Sequence, residues 1–164
     1  MLYLAIHMPE ITLYLPDLLA TQNCGEQIGR QIALPAQIAL NGELGAGKTS
    51  LSQGIAKGFG VREPVTSPTF ALMHEYIGAR GSLFHLDLYR LGSLDEVLDL
   101  GLEERILTEC SLILVEWQNK FPNWLADLKT VEIELSHEPP GRKALIRMPA
   151  QPIFALEALQ VWQS

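Results

Sequence analysis

The chain is short of cysteine, of positive charge and of long apolar runs. Its two cysteines, Cys24 and Cys110, lie far apart. They build neither a metal-ligand spacing nor a disulfide framework, and read as buried thiols of a reducing compartment. Lysine and arginine together number 12 against 19 acidic residues, for a net charge of −7. That balance argues against a surface that holds nucleic acid by neutralising phosphates, though not against work beside an RNA-binding partner. The apolar stretches at the start are broken by His7, Pro9 and Glu10. Neither a signal peptide nor a membrane span is expected, and the expected location is cytoplasmic. Internal repeats and low-complexity tracts are absent too. What remains is 164 residues at 48% hydrophobic and 19% charged, a chain long enough for one domain with a real core.

Against these absences stands one complete motif. Residues 42–49 read Gly-Glu-Leu-Gly-Ala-Gly-Lys-Thr, a phosphate-binding loop of the form G-x-x-x-x-G-K-[ST]. A chance match in a chain this long is on the order of half a percent at ordinary residue frequencies. The flanks agree with it: 36–41 is a short apolar strand, and Leu51, Ile55 and Phe59 recur at helical spacing. Strand, glycine loop and helix form the setting in which such a loop works. The glycines let successive N–H groups point at phosphate oxygens, and the helix start adds unpaired amides and a positive dipole end. The expected nucleotide-binding set is Gly42, Gly45, Ala46, Gly47, Lys48, Thr49 and Ser50, together with Trp117. Lys48 reaches the β- and γ-phosphates, and the Thr49 hydroxyl ligates Mg²⁺.

The remaining chain reads as alternating strands and helices. Residues 10–15 alternate as a half-buried strand, and Asp17 caps a helix whose buried face carries Leu18, Ala20, Cys24 and Ile28. The phosphate-loop helix fades near Gly58 and Gly60. Residues 61–69, with two prolines, form a loop; Phe70–Ile77 and Ser82–Asp87 pair around a turn at 78–81. Short helices follow at 94–98 and 102–107, and the apolar run 112–116 reads as a parallel strand covered on both faces. A second hairpin joins 131–135 to 144–148, and 153–162 forms a closing helix. The fold class is α/β: a P-loop NTPase-like sheet with flanking helices and antiparallel hairpins, one domain over 1–164 with a motif-free tail from about 151.

A cation beside a triphosphate needs oxygen ligands beyond the loop hydroxyl. Asp87 ends the strand 84–87 and Glu116 ends 112–116. In open α/β sheets ligands gather beyond the carboxyl ends of strands, so Asp87 and Glu116 are the catalytic and metal candidates beside Lys48 and Thr49. Thr66, Ser67 and Thr69 lie in a proline loop positioned like a switch segment, whose hydroxyls reach a γ-phosphate or metal when folded inward. Trp117, after Glu116, covers the site or fills the core. His85 shares a strand face with Asp87, as a proton-transfer group or as a structural histidine.

These residues resemble a known family. The set is Gly42–Thr49, Ser67-Pro-Thr-Phe70, His85-Leu-Asp-Leu-Tyr-Arg-Leu91, the 96–102 segment with Leu100-Gly101-Leu102, and Glu116-Trp117. Together and in that order they resemble the TsaE (YjeE-type) ATPases of bacterial tRNA threonylcarbamoyladenosine synthesis, from Asp17 to the last strand pair. The resemblance implies that Lys48 and Thr49 hold ATP-Mg²⁺, that Asp87 and Glu116 complete the metal and hydrolytic site, and that Trp117 lies beside it. It implies residues around Asp17–Thr21 near the adenine. It implies partners as well: a TsaD-like threonylcarbamoyl transferase and a TsaB-like companion, with tRNA reached through that complex and adenosine 37 as the modified base. Gln118-Asn119 depart from the proline and acid or amide that often follow Glu-Trp in that family. Weak, partner-stimulated ATP hydrolysis is expected, because the nearest arginine, Arg90, has no evident aim at the site. Three rivals stand beside it. A small-molecule P-loop kinase lacks support in the thin spread of basic residues. A GTPase lacks the aspartate of N-K-x-D, since Asn119-Lys120-Phe121-Pro122 ends in proline. A regulator that only holds ATP differs from an ATPase in turnover.

Overall fold

The computed structural model describes residues 8–163. The apolar start through His7, read above as neither signal peptide nor membrane span, lies outside the described residues, as does Ser164. Among the described residues no helix is long and apolar enough to cross a membrane.

Seven strands form one sheet in the order β1-β7-β6-β2-β5-β4-β3. They are β1 (Glu10–Leu15), β2 (Ala36–Gly42), β3 (Met73–Gly78), β4 (Gly81–Asp87), β5 (Ser111–Glu116), β6 (Thr130–Glu138) and β7 (Gly141–Arg147). The centre, β6-β2-β5-β4, is parallel, and antiparallel partners close both sides. Every residue of β5 is buried, as a strand covered on both faces requires. Its side chains divide between two cores: Leu112 and Leu114 join the larger one, Ile113 and Val115 the smaller.

The larger core lies under α1 (Leu18–Gln31) and α2 (Lys48–Phe59). Asp17 starts α1 by accepting a hydrogen bond from the Ala20 N–H at 2.7 Å. Its far end is closed by Arg80 in the β3–β4 turn, which donates to the carbonyls of Gly29 at 2.9 Å and Ile32 at 2.6 Å. The two helices meet along a seam of glycines. A Cβ at Gly25 or Gly29 would lie 2.5 Å from the Leu51 carbonyl oxygen or 2.0 Å from that of Ile55; one at Gly54 or Gly58 would lie 2.1 Å from the carbonyl oxygen of Gln22 or Glu26. Only hydrogen fits at all four places. Across the seam Lys57 pairs with Glu26 at 2.7 Å, and this bond, with burial opposing and Arg30 assisting, holds the Glu26 carboxyl below its usual range.

The smaller core lies under α3 (Leu94–Asp99), α4 (Glu103–Ile106) and the segment with Phe121 and Trp124. Lys120 ties that segment to the chain beyond β4 by donating to the carbonyls of Leu88 at 3.3 Å and Tyr89 at 2.6 Å.

Four expectations are corrected. The strand expected from Phe70 begins at Met73: the Leu72 N–H closes a turn on the Pro68 carbonyl, and Leu72 takes a left-handed backbone (φ 64°), so extended pairing starts only afterwards. Leu18 is exposed rather than on the buried face of α1, because it sits in the first turn on the solvent side. Cys110 is exposed, while Cys24 is buried as expected. The closing helix is a 3₁₀ segment, Leu156–Trp162, with Leu159 inserted into the core and Gln163 bridged to Leu13 of β1.

Candidate functional site

The loop between β2 and α2 turns on glycines in the left-handed region, Gly45 (φ 78°) and Gly47 (φ 107°) among them. α2 then begins at Lys48 with no side-chain cap and no acid in its first turn. Its first amides and the positive end of its dipole are therefore available to an anion.

Beside the loop two carboxylates stand at adjacent strand ends. Asp87 and Glu116 are register partners across the parallel pair β4–β5, and Leu40 of β2 is the register partner of Glu116 on its other side. Both acids are 3% exposed and Lys48 is 5% exposed. The Asp87 carboxylate is held at both oxygens: the Tyr89 N–H donates to Oδ1 at 2.9 Å and the Thr69 hydroxyl to Oδ2 at 2.6 Å. Ser67 Oγ lies 2.7 Å from Thr69 Oγ1, extending this chain into the loop. Glu116 Oε1 lies 2.9 Å from His85 Nε2.

Lys48 Nζ donates to the carbonyls of Gly42 at 2.8 Å and Glu43 at 2.9 Å and lies 4.3 Å from the centre of the Trp117 ring. Trp117 in turn meets Tyr89 with ring centres 5.0 Å apart. Its own backbone is left-handed (φ 63°), while its N–H bonds the Leu40 carbonyl at 2.9 Å. A bulky residue in that region carries about 1–3 kcal/mol of strain, which clusters at functional sites. Burial pulls the Lys48 ammonium below the ordinary lysine range; the charges of Glu116 and Asp87 oppose that shift without cancelling it.

One cleft of about 300 Å³ gathers these groups. Of the expected residues, Gly45, Gly47, Lys48, Thr49, Ser50, Ser67, Thr69, Asp87, Glu116 and Trp117 line it. Gly42 lies behind it, as an acceptor for Lys48, and Ala46 is fully buried. Thr66 is not brought in: it lines a separate recess beside β3, and its N–H faces the Tyr76 hydroxyl at 3.3 Å. Asp17–Thr21 do not line the cleft either, since Asp17 serves the start of α1. Arg90 lies over the exposed Phe70 ring at 4.5 Å.

The residue that sequence reasoning missed is Arg142. It lines the cleft, its side chain lies directly against Gly47, and its Nε is buried with no hydrogen-bond partner among the described residues. The β6–β7 hairpin delivers it, by pairing Arg142 with Leu15 of β1 and with His137 of β6. Its place after Pro-Pro-Gly reads only as a turn.

The donors fit a nucleotide with its cation. Amides at the start of α2, a lysine and an arginine line the cleft with groups that would suit phosphate, and a hydroxyl and two carboxylates line it with hard oxygens that would suit a cation.

The family model described as "Threonylcarbamoyl adenosine biosynthesis protein TsaE" matches residues 15–144. The chain belongs to the TsaE family. It is similar to the "tRNA threonylcarbamoyladenosine biosynthesis protein TsaE" of a Nostoc species, 43% identical over 113 residues that cover 67% of this chain and 69% of the relative. The TsaE of a Synechocystis species is 44% identical, over 66% of this chain and 71% of its own. That of Treponema pallidum is 37% identical, over 70% and 83%. The crystal structure of Bacillus subtilis YdiB superposes with a TM-score of 0.68 over 87% of each chain at 23% identity, a likeness of fold. The TsaE match thus spans both the phosphate loop and the acid-bearing strand ends, and the fold is that of a P-loop NTPase-like protein.

Proposed function

We propose that the protein is the ATP-binding, weakly hydrolysing subunit of tRNA threonylcarbamoyladenosine synthesis, a Mg²⁺-dependent ATPase that assists a TsaD–TsaB-like pair in forming N6-threonylcarbamoyladenosine at position 37. The observation that carries it is the meeting, in one cleft, of the uncapped start of α2 with the paired strand-end acids Asp87 and Glu116. The backbone from Gly45 to Ser50 binds the phosphates, and Lys48 leaves its loop carbonyls for the β- and γ-oxygens. Thr49, Asp87 and Glu116 would hold Mg²⁺, which neutralises charge on the phosphates when bound. Glu116 also orients the attacking water. Ser67 and Thr69 follow Asp87 as the switch-like loop, and Trp117 covers the bound phosphates.

Slow turnover alone follows from the arginines. Arg90 is turned onto Phe70, and Arg142 lies against Gly47 of the loop with no ion pair to Asp87 or Glu116 among the described residues. A missing arginine finger is worth about 10³–10⁵ in rate. The mouth of the cleft supports a partner: Leu44 and Tyr89 line it while exposed, and Phe70 beside Thr69 is 84% exposed. Apolar groups in water around a polar cleft mark an interaction surface.

The test is a pull-down with a TsaD–TsaB-like pair, with ATP turnover measured in the same sample. The pair is expected to be retained and to raise turnover. Lys48→Ala is expected to lose ATP affinity, and Glu116→Ala to keep ATP and lose Mg²⁺-dependent turnover. Turnover of the isolated chain equal to that of the complex, or unchanged turnover in Glu116→Ala, overturns the reading.

A further inference from the structure

His85 has no part in the account above, yet its burial requires one. It is 0% exposed, on β4 two residues before Asp87, and its register partner on β5 is Leu114. An aliphatic side chain would fill that place without the cost of taking an imidazole out of water. What the imidazole adds is one bond. Its Nε2 lies 2.9 Å from Glu116 Oε1, while Nδ1 is buried and meets no partner among the described residues. A carboxylate only accepts, so Nε2 is the donor.

The consequence falls on Glu116. Its Oε1 is occupied inside the protein, and Oε2 is left to the cleft that Glu116 lines. Asp87 is fixed by Thr69 and Tyr89. For Glu116, with one more torsion, His85 is the hydrogen-bond partner that the structure provides. Lys48 lines the same cleft, so a carboxylate free to turn has a cation there to compete for it.

We propose that His85 is a positioning residue: through its Nε2–H it holds one oxygen of Glu116 and so presents the other to the cation side of the site. This rests on the ATPase reading above. The group is chosen for one donor at fixed reach, and a carboxamide nitrogen at the end of a glutamine reaches the same point.

The test compares His85→Met with His85→Gln in the full chain together with its stimulating partners. His85→Met keeps the volume without the donor. It is expected to lower kcat by about 10–100-fold, the usual loss when an outer partner of a ligand is removed, and to raise the Mg²⁺ concentration needed for half-maximal turnover. Its ATP affinity without Mg²⁺ and its melting temperature stay near wild type. His85→Gln is expected to recover most of the loss. Equal loss in both variants, or a His85→Met defect fully accounted for by ATP affinity or melting, overturns the proposal. If His85→Met does not fold, the ¹⁵N imidazole spectrum of the wild type decides: an Nε2–H tautomer supports the proposal and an Nδ1–H tautomer overturns it. Failure of the ATPase reading shows elsewhere, as a wild-type protein that binds no ATP.

Discussion

Gly29→Ala puts one methyl group between α1 and the helix that begins at the phosphate loop. Its Cβ would lie 2.0 Å from the Ile55 carbonyl oxygen and 2.9 Å from the Ile55 carbonyl carbon. Heavy atoms at rest stand about 3.5 Å apart, so α2 must retreat by more than about 1 Å, and a gap of that size removes about a quarter to a half of each dispersion contact along the seam. Overpacking of this kind costs about 1–3 kcal/mol. The upper end applies, because both neighbours are backbone and neither can rotate aside. Alanine regains about 1 kcal/mol of helix propensity. The net loss is then about 2 kcal/mol, or a fall of about 4–8 °C in melting temperature for a chain this size. The displacement also carries the start of α2, where a shift of about 1 Å can cost up to about a hundredfold in a positioned site. Thermal melts with and without ATP, beside ATP titrations, measure both effects. Gly92→Ala is the control, since its Cβ would meet only the Glu96 side chain, at 3.4 Å. Gly29→Ala melting within a degree of wild type would refute the seam.

Three further outcomes are expected. Arg142→Ala should weaken ATP binding about tenfold or more, the worth of one hydrogen bond to a charged group; unchanged affinity would mean that its guanidinium does not reach the phosphates. An exposed-thiol reagent should modify Cys110 at once and Cys24 only on unfolding, because Cys24 is buried and its thiol is pushed up to about 12; two fast thiols would refute this. Lys48 titrates below the ordinary lysine range, so ATP affinity should fall as pH rises through that lowered value. Stability moves the other way: between the lowered folded value and the ordinary unfolded one the unfolded chain binds more protons, and the penalty on the buried charge is relieved. Lys48→Met should flatten both trends relative to wild type, and parallel profiles would show that Lys48 is not their source.

The parts legible in the sequence were those with a local signal. The loop, β2 and the acids ending β4 and β5 were readable because spacing and strand-end position carry their chemistry. Arg142 was not, because only the hairpin register returns it to a loop some hundred residues earlier in the chain. The glycine seam escaped for another reason: periodicity registers apolar side chains, whereas Gly25, Gly29, Gly54 and Gly58 act by having none. Thr66 and Thr69 look alike in sequence, yet the turn that ends in left-handed Leu72 carries Thr69 to Asp87 while Thr66 stays beside Tyr76. The tail carries no motif, and its contribution to the core through Ile153, Phe154 and Leu159 has no periodic signal in so short a segment.

That tail has a practical bearing. Gln163 bridges Leu13 on the outer side of β1, the last strand of its end of the sheet, while Phe154 and Leu159 join the larger core and Leu156 packs against it. Clipping the chain near residue 150, as a designer trimming an unmotivated terminus would, removes the one bridge to Leu13 on that edge and uncovers the apolar surface under Leu159. Molecules so shortened would stick to one another along that border, and their insolubility would be mistaken for a fault of the proposed nucleotide cleft.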